Sequence, residues 1–112
     1  MKLSGIFYVE FASSRNISGA GLVVIDDGVV NGGDAMYLYQ GKLVQYGGEV
    51  RATINVKHYR GDVDSVMGPL KRFTLKLSGT STDSQFVLEG TTDSVPDAVI
   101  KMMGKKVAEI HR

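Results

Sequence analysis

Between Glu49 and Arg60 the chain alternates without a fault. Val50, Ala52, Ile54, Val56 and His58 fall on even positions; Arg51, Thr53, Asn55, Lys57 and Tyr59 fall on odd ones. A period of two sustained over ten residues puts one set on each face of a β-strand. A helix, with about 3.6 residues per turn, would scatter both sets around its axis. This segment therefore commits the chain to a sheet with one buried face.

The same pattern recurs on either side. Phe7, Val9 and Phe11 oppose Tyr8 and Glu10; Gly19, Gly21, Val23 and Ile25 oppose Ala20, Leu22 and Val24; Phe73, Leu75 and Leu77 alternate over residues 72–78. Ser13 to Ser18 reads as a turn. Asp26-Asp27-Gly28 is a hairpin signal, because Asp-Gly accepts the positive φ angles of a tight two-residue turn. Gly32-Gly33-Asp34 interrupts the strand that Val29 and Val30 begin. Residues 36–46 resume it through Tyr37 and Tyr39, with a bend expected at Gly41-Lys42. Gly47-Gly48 makes the next turn. Arg60 to Leu70 is the longest connection and has room for one helical turn, and Gly79 to Ser84 is expected to close a hairpin into Phe86, Val87 and Leu88.

The final stretch admits two readings. A helix could enter at Val95-Pro96-Asp97 and run through Ala98, Ile100 and Met103. A strand interrupted at Gly104 and completed by Val107 and Ile110 is the favoured alternative, since glycine inside a helix costs about 1 kcal/mol. The expectation is an all-β chain of about eight antiparallel strands. A meander of that length closes on itself or splits into a sandwich, and closure, which leaves no unpaired edge, is preferred. Residues 1–112 are expected to form a single up-and-down β-barrel, with glycines at its corners.

Composition narrows the function classes. A hydrophobic fraction of 43% beside 22% charged residues suits a folded globular chain rather than a disordered one. The net charge of +1 supplies no bulk attraction for nucleic acid or anionic membrane. There is no cysteine, which removes thiol catalysis, thiolate metal sites and disulfides together. No secretory signal and no membrane-spanning run is recognised, so a cytoplasmic location is expected.

Chemistry-bearing motifs are sparse. The two histidines, His58 and His111, stand 53 positions apart, and neither has a second ligand at metal-binding spacing. No serine sits in a Gly-x-Ser-x-Gly elbow. The carboxylate pairs Asp26-Asp27 and Asp62/Asp64 lie in turns, where nothing raises a pKa for general-acid work. Gly19-Ala20-Gly21 is followed by a strand rather than the helix that a phosphate cradle needs. Lys101, Lys105, Lys106, His111 and Arg112 make a basic end, read as a solvated edge strand. No catalytic residue, cofactor or metal is expected. The candidate features are a rim formed by Gly32, Gly33, Asp34, Tyr37 and Tyr39, available to a partner, and a polar position inside the barrel at His58.

Several of these segments together resemble the bacterial GrlR family. They are Gly5-Ile6-Phe7-Tyr8, Gly19-Ala20-Gly21-Leu22, Gly32-Gly33-Asp34-Ala35 leading into Tyr39-Gln40-Gly41, then Val56-Lys57-His58-Tyr59 and Ser65-Val66. The likeness covers about the first two thirds of the chain. It implies a lipocalin-like barrel of eight antiparallel strands, often dimeric, in small negative regulators of type III secretion gene expression. The family's best-known member represses indirectly, by binding a transcriptional activator through a short acidic surface run after the fourth strand. Here the corresponding Leu43-Val44-Gln45-Tyr46-Gly47-Gly48-Glu49 carries one acid.

The function expected is that of a non-enzymatic protein that binds a protein partner, with a homodimer and no direct nucleic-acid binding. A small-molecule carrier is the alternative. The two differ in the barrel interior. Phe7, Val9, Phe11, Ile54, Val56, Phe73, Leu75, Leu77, Phe86 and Leu88 are assigned inward, and side chains of that bulk would fill a narrow barrel.

Overall fold

The computed structural model describes residues 2–14, 18–60, 72–92 and 98–112. Among them there is no helix. Eight strands follow in chain order: β1 (Gly5–Ser13), β2 (Ser18–Asp26), β3 (Val29–Gly33), β4 (Tyr37–Tyr46), β5 (Glu49–His58), β6 (Arg72–Ser81), β7 (Gln85–Thr92) and β8 (Ile100–Ala108). Each pairs antiparallel with the next, and β8 returns to pair with β1, closing an up-and-down barrel.

The alternating residues decide which side of each strand faces in. All ten residues assigned inward from the sequence are buried, and Val50 and Ala52 of the longest alternation join them. Leu3, just ahead of β1, is 1% exposed, and its backbone N–H donates to Gln45 Oε1 at 2.7 Å. It stoppers the end of the barrel where the tight hairpins lie. One of these is the Asp27-Gly28 turn, with φ of 50° and 77°, the paired positive angles that Asp-Gly was expected to adopt.

Closure sets a demand that a flat sheet would not. Strands coil tightly enough that one backbone overlies the inward face of its neighbour, and there a side chain has no room. Gly41 shows this: a Cβ built on it would overlap the Thr53 carbonyl oxygen of β5. β4 continues unbroken through Gly41-Lys42, paired on both sides. Gly79 likewise lies within β6, and the hairpin turns later, at residues 82–84, where the Thr82 N–H donates to the Gln85 carbonyl at 2.9 Å. In both cases a glycine required for close approach carries the same signal in sequence as a glycine required for a turn.

β8 corrects a further expectation. It continues unbroken through Gly104 to Ala108 and leaves Ile110 outside the sheet. The interruption falls instead near Val107, where the register against β1 shifts between Ile6 and Phe7. β8 is also no edge, being paired on both sides. The helical turn considered for Arg60 to Leu70 and the helix start at Val95-Pro96-Asp97 lie outside the described residues, apart from Arg60.

Candidate functional site

The rim residues and His58, far apart in the chain, meet at the end of the barrel opposite Leu3. Gly33 ends β3 and Tyr37 opens β4, so the chain must reverse within three residues. Asp34 makes that reversal. Its Oδ1 accepts from the backbone N–H of Met36 at 2.8 Å and of Tyr37 at 2.7 Å. Its own N–H donates to the Tyr37 carbonyl at 2.9 Å. Its Oδ2 accepts a hydrogen bond from the hydroxyl of Tyr39, and its carbonyl accepts the Tyr59 hydroxyl at 2.7 Å. Aspartate favours turns for this reason: one carboxylate satisfies backbone donors that a tight reversal leaves over.

The rim is consequently divided in two. Tyr37 and Tyr39 are 3% and 6% exposed and belong to the core. Tyr39 packs on Phe11 at a ring-centroid distance of 5.1 Å. Gly32, Gly33 and Asp34 are half-buried, and what the rim presents outward is Ala35, Leu38 and Tyr59. His58 pairs across the sheet with Tyr37, their ring centroids 5.2 Å apart in an edge-on arrangement. Its Nε2 is shielded from water and finds no hydrogen-bond partner among the described residues.

Tyr39 carries the strongest electrostatic constraint. Burial, followed by its hydrogen bond to Asp34 and the charge of that carboxylate, pushes its pKa far above the ordinary phenol range. In the unfolded chain the phenol titrates near about 10. Above that pH the unfolded chain releases a proton that the fold retains, so stability falls as pH rises; below it the contribution is complete. Urea denaturation from neutral to strongly alkaline pH should show this decline in the native protein and a weaker one in Tyr39→Phe. Equal alkaline profiles would remove Tyr39 as the cause.

The other acids do different work. Asp27 pairs with Lys2 at 2.8 Å and Asp26 with Arg112 at 3.0 Å, so both chain ends lie against the β2–β3 hairpin. These pairs are exposed and contribute little to stability. Of the basic end, Lys101 reaches Glu89 at 3.9 Å and Lys106 pairs with Glu109. No cluster of three or more His, Asp or Glu side chains converges as for a metal ion among the described residues.

The interior holds a cavity of about 10 Å³, bounded by Val23, Tyr39, Ile54, Phe86 and Met102 among others. That is about the space of a single water molecule. A feature that strand-by-strand reading missed lies outside. On the outer face of β4, β5 and β6, an open groove of about 400 Å³ runs between Lys42, Arg51 and Lys76. Its members are scattered along the sequence, and only the register of three strands assembles them: Lys42 stands opposite Thr53, and Thr53 opposite Lys76.

No curated protein matches the chain. The family model described as the type III secretion negative regulator GrlR matches residues 2–109, well beyond the first two thirds that the quoted segments cover. A match over nearly the whole barrel, β8 included, shows that the chain belongs to the GrlR family of type III secretion negative regulators.

Proposed function

We propose that this protein is a non-enzymatic regulator, working in the cytoplasm, that represses type III secretion by binding a protein partner with the outside of its barrel. The close filling of the interior by the described residues carries this reading. Small-molecule pockets run to roughly 300–1,000 Å³, and the cavity of about 10 Å³ falls short by more than an order of magnitude. A carrier would need a hollow that Phe7, Phe86 and their neighbours occupy. What remains for recognition is the outer surface.

The reading includes a homodimer, as the family resemblance implies. Tyr8, Leu22, Gly33 and Leu38 stand in one outward row across β1 to β4, each opposite the next. Tyr8, Leu22 and Leu38 are 43%, 51% and 37% exposed. A row of apolar side chains without a charge suits an isologous contact with its own copy. The candidate rim enters at Gly33, whose lack of a side chain leaves Leu22 and Leu38 accessible on either side.

A reporter of type III secretion gene expression should fall when this chain is supplied. An unchanged reporter would overturn the regulatory reading. Native mass spectrometry of the purified protein should detect no bound metabolite; a stoichiometric ligand would restore the carrier. Sedimentation velocity should give a dimer that Leu22→Lys converts to monomer, whereas a monomeric native protein would remove the homodimer.

A further inference from the structure

The strands β4, β5 and β6 carry five cations, Lys42, Arg51, Lys57, Arg72 and Lys76, against one acid, Glu49. All five cations are exposed. None has a carboxylate partner among the described residues. The four ion pairs seen there use Lys2, Lys101, Lys106 and Arg112. A chain with a net charge of only +1 has therefore gathered unpaired positive charge on one side.

Bland explanations fit this face poorly. Lysines often guard a sheet edge against pairing with another chain, but a closed barrel has no edge to guard. Like charges on neighbouring strands repel in the free protein. Across β4, β5 and β6, Lys42 and Lys76 flank Thr53, about 10 Å apart at two strand spacings. Arg51 stands in the adjacent row, with Val44 on one side and Ser78 on the other. Thr53, Ser78 and Val44 stand on the walls of the groove between them, with the cations around it.

From this arrangement we propose that the β4–β5–β6 face is the docking surface for an acidic polypeptide segment of a partner protein. Carboxylates of the segment pair with Lys42, Arg51 and Lys76, and an apolar side chain lies on Val44. Charge complementarity selects the occupant. Nucleic acid fits less well, because binding of single strands relies on aromatic residues interleaved with cations. Tyr46, beside the turn, is the one outward aromatic of these three strands. Strand addition is closed to the partner as well, since β5 is paired on both sides. The apolar row proposed for self-association reaches β4 at Leu38, four residues along that strand from Lys42, so the two surfaces share β4 but none of the groove residues.

The inference rests on the reading of the protein as a partner-binding regulator and names the chemistry of the partner. Fluorescence anisotropy of a labelled glutamate-rich peptide with leucines at intervals, titrated with the full chain at low salt, tests it. The triple variant Lys42→Glu/Arg51→Glu/Lys76→Glu should weaken binding by about tenfold or more, and added salt should weaken it in the native protein. The variant Lys101→Glu/Lys105→Glu, with charge reversals on β8, should change it by less than about twofold. Circular dichroism confirms that each variant is folded.

No peptide binding, an equal loss in both variants, or tighter binding of a single-stranded oligonucleotide or of phosphatidylserine vesicles would overturn the proposal. The reporter assay separates the two readings. A native chain that does not repress, yet binds the peptide through the groove, defeats the regulatory reading alone. A triple variant that represses like the native chain defeats the docking surface alone.

Discussion

Replacing Gly41 with alanine is expected to cost more than about 3 kcal/mol, at the upper end of what overpacking a core does. The new Cβ would meet the Thr53 carbonyl oxygen and the Ile54 Cα. Those atoms are backbone held in the β4–β5 ladder, so no rotamer change relieves the overlap; the strands must separate or β4 must shift register. A domain of this kind has only about 5–15 kcal/mol in total. Urea denaturation should show a large drop in midpoint, or no cooperative transition at all. Gly48→Ala is the control, since the nearest atom its Cβ would meet, the Ser81 carbonyl oxygen, lies at 3.8 Å. It should leave the midpoint almost unchanged. A Gly41→Ala protein as stable as Gly48→Ala would show that the barrel wall yields at this point.

Phe86→Ala is expected to cost about 3–5 kcal/mol, the usual range for truncating a buried phenylalanine. Phe86 is 3% exposed and packs against Phe7 at 5.5 Å. It also lies over Gly104 of β8, its direct partner in the ladder, where a Cβ would fall within the ring. The two positions are therefore coupled. Gly104→Val alone should destabilise by about 1–3 kcal/mol. In a Phe86→Ala background it should cost much less, because its methyl groups enter the space the ring has left. A double-mutant cycle should give a coupling of about 0.5–3 kcal/mol in the compensating direction. Additive losses would mean that ring and glycine do not share one space.

The coupling of Phe86 and Gly104 also explains what β8 hides in its sequence. Gly104 reads as a break because glycine in a strand forfeits side-chain packing. In the barrel the packing is supplied from the neighbouring strand by an aromatic ring, and β8 continues. Asp34 shows the same limit at the rim. Gly-Gly-Asp before two tyrosines is distinctive in sequence but reads there as an interruption of one strand; the structure makes it the reversal between antiparallel β3 and β4. That the carboxylate turns back to Tyr39, and that the tyrosines belong to the core, depends on the inward phase of β4, which three glycines in ten residues obscure. The alternation of β5 puts His58 in phase with Val50 to Val56, and the structure finds it half-buried at the end of that row. Its neighbour Tyr37 was beyond reach, since cross-strand partners follow from register rather than spacing.

The uninterrupted alternation from Val50 to Tyr59 was enough, by itself, to settle that the chain forms a sheet with one buried face. A strand repeats every two residues and so writes its inside and outside directly into the chain. The bulk of the inward side chains followed from the same rule, and with it the close packing seen among the described residues. Tertiary structure decided what lies between strands. Ring closure fixes which backbones crowd which glycines, and the register of β4, β5 and β6 brings Lys42, Arg51 and Lys76 around one groove. Those residues are neighbours only through hydrogen-bonded ladders, and no local pattern in the sequence records a distance across a sheet.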